Sequence, residues 1–212
     1  MTGVVDVTNE CAVGRHCGPM RAYEVAAIWI HRIGPHIGRD AVEIAEFFIN
    51  GPGKPYTGGA VPYHYIGGYN EVQQAIPLNE RGAHARRWGN ACGIGFAQMG
   101  DFRQAAPGAD QWRRAVMVCA DIVPALVPLP LRLRHMVPDE LRYGLPIFGH
   151  GEVPGTFGRS AGKEQPGGPN ACPGNLWDMN DFRSDVAIEL RARVGLVLTA
   201  NGHRLDSPTR RT

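Results

Sequence analysis

The stretch EVAAIWIH, residues 24–31, is apolar almost throughout and ends abruptly at HRIGPHIG. An apolar run this short, closed by Gly and Pro, reads as a buried strand that leaves the core at His31. ACGIGFAQMG, residues 91–100, is a second such strand, and its glycines point to a bulge or a close backbone approach. Between and after these runs the period changes. Asp40 starts a helix with Glu43 three residues later, the capping-box spacing, and Ala41, Ile44, Ala45 and Phe48 recur at helical intervals until NGPG. ADQWRRAVMVCADIV places Trp112, Ala115, Val116, Cys119, Ile122 and Val123 on one helical face. YHYIGG and NEVQQAI read as two strands joined by a tight glycine turn, and LPIFGH as a short strand delivering His150 at its end. Residues 180–195 form a closing helix with Phe182, Val186 and Leu190 inward. Strands alternating with helices predict an α/β fold with a central mixed β-sheet flanked by helices.

The 212 residues suit one domain, expected over 23–200, with an N-terminal extension at 1–22 and a flexible tail at 201–212. Residues 124–144 and 155–169 read as irregular insertions. A formal charge of +2 is too weak to argue for nucleic acid. No segment reaches the roughly eighteen apolar residues of a membrane span. The N-terminus MTGVVDVTNECAVG lacks the basic and apolar regions of a signal peptide, so synthesis in the cytoplasm is expected. Nothing in the sequence calls for more than a monomer. Five scattered cysteines are not a disulfide framework. Cys92, entering a strand, and Cys119, on a helix face, read as buried thiols. Cys11, His16 and Cys17 lack the second ligand pair of a local metal site, and read as a loose loop.

Three other residues suggest chemistry. His31 and His150 end buried strands, and Cys172 lies in a tight ACPG turn. Imidazole and thiolate donors in tetrahedral array suit zinc, and a catalytic site keeps three protein ligands with one open position. Strand ends hold two imidazoles at fixed separation, and a turn brings the thiolate across. Taken singly, each is also what a packed or surface residue looks like.

The order IWIH, YHY, HARRWGNACGIGFAQMGDF, GHGEVPG, ACPG resembles the zinc-dependent N-acetylmuramoyl-L-alanine amidases, the type-2 fold shared by phage endolysins, cell-wall amidases and peptidoglycan recognition proteins. The resemblance spans residues 24–190. It implies one zinc per chain held by His31, His150 and Cys172, peptidoglycan as substrate, and hydrolysis of the amide between N-acetylmuramic acid and L-alanine. It further implies a phage or prophage endolysin made in the host cytoplasm and acting on the wall after release. Tyr63 matches a Tyr near the metal that orients water or donates to the oxyanion. His84 and Asn90 match groove-lining positions, with a structural turn as the alternative. Glu152 is a candidate acceptor for a ligand imidazole, or else a surface carboxylate. His64 is expected to face away from Tyr63 and to be structural.

Two departures stand out. Asn170 occupies the position where many phage-type members carry Lys, and Ala97 the position where recycling amidases carry Glu. Tyr63 and Asn170 are then the candidate catalytic helpers, with Lys163 or Glu164 of the insertion as substitutes. A non-catalytic binding module and a cytoplasmic muropeptide-recycling amidase are the competing readings of the same fold.

Overall fold

The computed structural model describes residues 3–11, 19–20, 25–34, 37–126, 128, 144–152 and 172–200. In chain order these form β1 (Val4–Asp6), α1 (Thr8–Cys11), β2 (Ala27–Ile33), α2 (Ala41–Ile49), α3 (Lys54–Thr57), β3 (Tyr65–Gly67), β4 (Val72–Gln74), α4 (Arg86–Cys92), β5 (Gly93–Met99), α5 (Ala109–Ile122), a 3-10 turn (Val123–Ala125), β6 (Ile147–Gly149) and α6 (Met179–Ala200). Among the described residues no helix is long and apolar enough to cross a membrane.

The strands make one mixed sheet in the order β1-β4-β3-β5-β2-β6. β2 lies between β5 and β6 and is parallel to both, and β3 runs parallel to β5. The expected hairpin is present: β3 and β4 are antiparallel, with Gly67 opposite Val72. Side chains alternate across β2, and the two parities feed two cores. Ile28 and Ile30 join Ile94, Phe96 and Ile147 beneath α5 and α6, where Ala115, Cys119, Phe182 and Val186 are buried. Full burial of a side chain such as Phe182 contributes about 1.5–3 kcal/mol. Ile33 joins Ile66, Ala97 and Met99 on the other face, against Ala41, Ile44, Ala45 and Phe48 of α2. His31 shares the parity of Ile33 and therefore faces the α2 side.

Local chemistry sets these elements. Asp40 caps α2 by accepting from the Glu43 N–H at 2.9 Å. The Glu43 carboxylate returns one residue further back than in a standard capping box, to the Arg39 N–H at 2.9 Å. In α5, Gln111 lies where the helix meets the sheet and donates to the Met99 carbonyl at 2.8 Å. Trp112 ties α5 to α6 through Asp185 at 2.7 Å.

Several expectations need correction. Residues 4–11 are not peripheral, because β1 pairs parallel with β4, and Val7 and Cys11 are buried in the α2-side core. The sequence HARRWGNAC contains the short helix α4, so Cys92 closes a helix and β5 starts at Gly93. Tyr63 and His64 precede β3 instead of lying in it. Residues 129–143 and 153–171 lie outside the described residues, as do His16, Cys17 and the tail.

Candidate metal centre

Parallel strands that depart to opposite sides of a common neighbour leave a crevice at their carboxyl ends, the usual ligand position in open α/β sheets. β5 and β6 flank β2 in this way. His31 is the fifth residue of β2, and His150 follows β6 directly, with its N–H bonded to the Ile30 carbonyl at 3.0 Å. That bond extends the β2–β6 pairing by one residue and brings the two imidazoles together, with ring centroids 4.5 Å apart. Cys172, twenty-two residues further along the chain, joins them. Its carbonyl accepts from the Gly151 N–H at 2.6 Å, and its Sγ accepts from the Arg32 N–H at 3.3 Å.

One donor atom from each of His31, His150 and Cys172 lies within 4.8 Å of the others. The set fits zinc on its chemistry: two imidazoles and one sulfur, the sulfur held by a backbone N–H. His31 is buried, and burial followed by the neighbouring His150 and His84 holds its pKa well below the ordinary value. It therefore stays neutral, as a metal ligand must.

Tyr63 closes one wall, its ring 5.1 Å from that of His31 and 6.1 Å from that of Phe48. Burial, then the Cys172 charge, raises its pKa, so the hydroxyl remains a donor. For His84 the sequence left a groove position and a structural turn open. It is buried beneath His31, with Nδ1 3.2 Å from His31 Nε2 and Nε2 3.0 Å from the Gly93 carbonyl. Asn90 likewise points inward, its Oδ1 accepting from the N–H groups of His84 (2.9 Å) and Ala85 (2.6 Å). His64 braces the hairpin against β5, with Nδ1 accepting from the Gly95 N–H at 3.0 Å and Nε2 at 2.8 Å from the Glu80 carbonyl.

Residues 21–175 match the Amidase_2 family, N-acetylmuramoyl-L-alanine amidase. The chain belongs to this family.

Solved structures share the fold. LysC, an N-acetylmuramoyl-L-alanine amidase from Clostridium intestinale URNW, is 15% identical with a TM-score of 0.58, over 88% of this chain and 99% of that one. The Ph2119 endolysin of a Thermus scotoductus MAT2119 bacteriophage is 18% identical with a TM-score of 0.55, over 86% and 98%. A selenomethionine derivative of AmpD is 17% identical with a TM-score of 0.54, over 87% and 95%. No curated protein matches in sequence.

Of the two positions singled out in the sequence as departures, only residue 97 lies among the described residues. Ala97 pairs in register with His31 and is fully buried, so that strand offers the site a methyl group and no carboxylate. For Glu152 the sequence left an acceptor for a ligand imidazole and a surface carboxylate open, and the bonds it makes brace β6 against α6. Its Oε2 accepts from the Gly149 N–H (2.7 Å) and Arg183 (2.8 Å), and Oε1 accepts from Arg183 at 3.1 Å. Asn170, Lys163 and Glu164 lie outside the described residues. The contact of His84 with His31 was not foreseen from sequence, and its one trace there is Gly95. A Cβ at Gly95 would lie 2.7 Å from the His84 ring.

Proposed function

We propose that this chain is a zinc-dependent hydrolase of the amide between N-acetylmuramic acid and L-alanine in peptidoglycan, acting on the wall as a phage or prophage endolysin. The observation that carries the reading is the convergence of His31, His150 and Cys172 at the carboxyl ends of β2 and β6 in a chain of the amidase family. Zinc, when bound, supplies Lewis acidity toward a carbonyl oxygen and acidifies water.

The chain's own residues do the rest. His31, His150 and Cys172 fix the reacting centre on two rigid strand ends and one anchored turn. Tyr63 keeps its proton and stands beside His31, where its hydroxyl donates to charge developing on the amide oxygen. Asn170, two residues before Cys172, is a further donor candidate for the same charge, and it has no ionisable proton for the leaving amine. The family resemblance attaches a Glu at position 97 to recycling amidases, so Ala97 favours action on intact wall over soluble muropeptides.

The test is metal analysis of the purified protein combined with assay of new L-alanine amino termini from purified cell wall. One zinc per chain and released amines are expected, with both lost in His150→Ala. Bound zinc without new amines would leave a binding module of this fold, and release from soluble fragments alone would leave the recycling reading.

A further inference from the structure

Hydrogen positions in the stack beneath the metal centre follow from counting protons. A carbonyl oxygen only accepts, so the His84 nitrogen 3.0 Å from the Gly93 carbonyl, Nε2, carries the hydrogen. A neutral imidazole has one N–H, so His84 Nδ1 holds a lone pair. His31 Nε2, 3.2 Å away, must then be the donor to it. The remaining lone pair of His31 is on Nδ1.

We propose that His84 is a positioning residue: through the chain Gly93 carbonyl, His84, His31 it fixes the tautomer of His31 and the plane of its ring, leaving Nδ1 as the nitrogen offered to zinc. The inference rests on the zinc reading above and adds a residue that acts through a ligand.

The surroundings of His84 are built to hold the ring in one orientation. Gly95 lacks the side chain that would occupy its place, since a Cβ there would meet Cγ and Cδ2 at 2.7 Å. A Cβ at Gly82 would meet Cδ2 at 3.1 Å from another direction. Asn90 Oδ1 holds the backbone N–H groups of residues 84 and 85, so the segment that carries the ring is itself anchored. The rings of His31 and His84 meet edge-on at 83°, with centroids 5.2 Å apart. The ring is buried, with both nitrogens engaged by protein atoms. A hydrogen-bonded partner on the far nitrogen of a ligating histidine is the usual device for setting tautomer and orientation, and its loss typically costs about 10–100-fold in metal affinity.

The experiment compares zinc affinity, by chelator competition, in wild type, His84→Leu, His84→Gln and His31→Ala, alongside 15N spectra of histidine-labelled, metal-free protein. His84→Leu is expected to bind zinc about 10–100-fold more weakly. His84→Gln, whose amide has both a donor and an acceptor, should recover most of that loss. In wild type, His31 and His84 should each carry their proton on Nε2. A His84→Leu protein that binds zinc within threefold of wild type, while His31→Ala loses it, overturns the role of His84. A His31→Ala protein that binds zinc normally overturns the zinc reading instead. Should His84→Leu not fold, the wild-type spectra decide: protonation of His31 on Nδ1 overturns the inference.

Discussion

Gly95→Ala probes the tightest part of the site. The added Cβ would stand 2.7 Å from Cγ and Cδ2 of His84 and 3.1 Å from its Cβ. Non-bonded carbons settle at ~3.5–4.0 Å, so the overlap is about 1 Å. Neither side yields easily. The His84 ring is bonded at both nitrogens, and Asn90 holds its backbone N–H. Residue 95 is held by β-pairing opposite Trp29, by the His64 N–H to its carbonyl at 2.9 Å, and by its own N–H to His64 Nδ1 at 3.0 Å. Overpacking of this kind costs about 1–3 kcal/mol. Breaking one His84 hydrogen bond adds about 1 kcal/mol. The gain from replacing Gly inside a strand returns about 0.5–1 kcal/mol.

A net loss of about 2 kcal/mol is expected, read from urea unfolding of the metal-free protein. The decisive comparison is the same substitution in a His84→Ala background. With the ring gone, the methyl enters the space it left, and the cost should fall to within about 0.5 kcal/mol of zero. The coupling between the two sites is then about 1.5 kcal/mol or more. Equal costs in both backgrounds would refute the reasoning, because the strain would then lie in the strand and not against His84.

Acid stability offers a second test. Burial pushes His64 down to about 4 from 6.5, so its contribution is complete above pH 6.5. It falls as the unfolded chain takes up a proton between 6.5 and 4, by roughly 3 kcal/mol in all. His64→Gln should remove about one proton's worth of that slope in metal-free protein, and unchanged slopes of unfolding midpoint against pH would refute it. Tyr63→Phe should lower kcat by about 10²–10³-fold if the hydroxyl meets the oxyanion, with zinc affinity unchanged. Arg183→Ala leaves the Glu152 carboxylate, one-quarter exposed, without its ion pair. A loss of about 2–3 kcal/mol in urea unfolding is expected, with solvent access reducing the figure for a fully buried pair. Gly174→Ala sets a Cβ 2.7 Å from the Phe102 backbone at φ +129, so the turn carrying Cys172 must move and zinc affinity should drop.

Periodicity was legible wherever one residue's neighbours along the chain decide its surroundings. β2, α2, α5, β6 and α6 belong to that class: their apolar spacing alone reports which side is covered. β1 was not legible, since VVD is too short to show a period and joins the sheet only because β4 offers it an edge. α4 was hidden for a related reason. Its sequence RRWGNAC carries a glycine inside the helix, and propensity argues against helix there.

The metal centre divides in the same way. His150 follows a strand that its apolar run marks, His31 lies two residues before the end of another, and Cys172 stands in a recognisable turn, so the candidate ligands were visible one at a time. Their meeting depends on β5 and β6 departing to opposite sides of β2, a property of topology that no local window contains. The residue beneath them was harder still. A glycine in a buried strand announces space without naming what fills it. At Gly93 a Cβ would lie 2.3 Å from the Trp29 indole nitrogen, and at Gly95 it would lie against His84. Alternate glycines on one face of β5 thus admit two large rings, one from the neighbouring strand and one from a loop before α4. The loop ring carries a nitrogen to His31, so the glycines that clear space for packing also connect the sheet backbone to the candidate metal ligand.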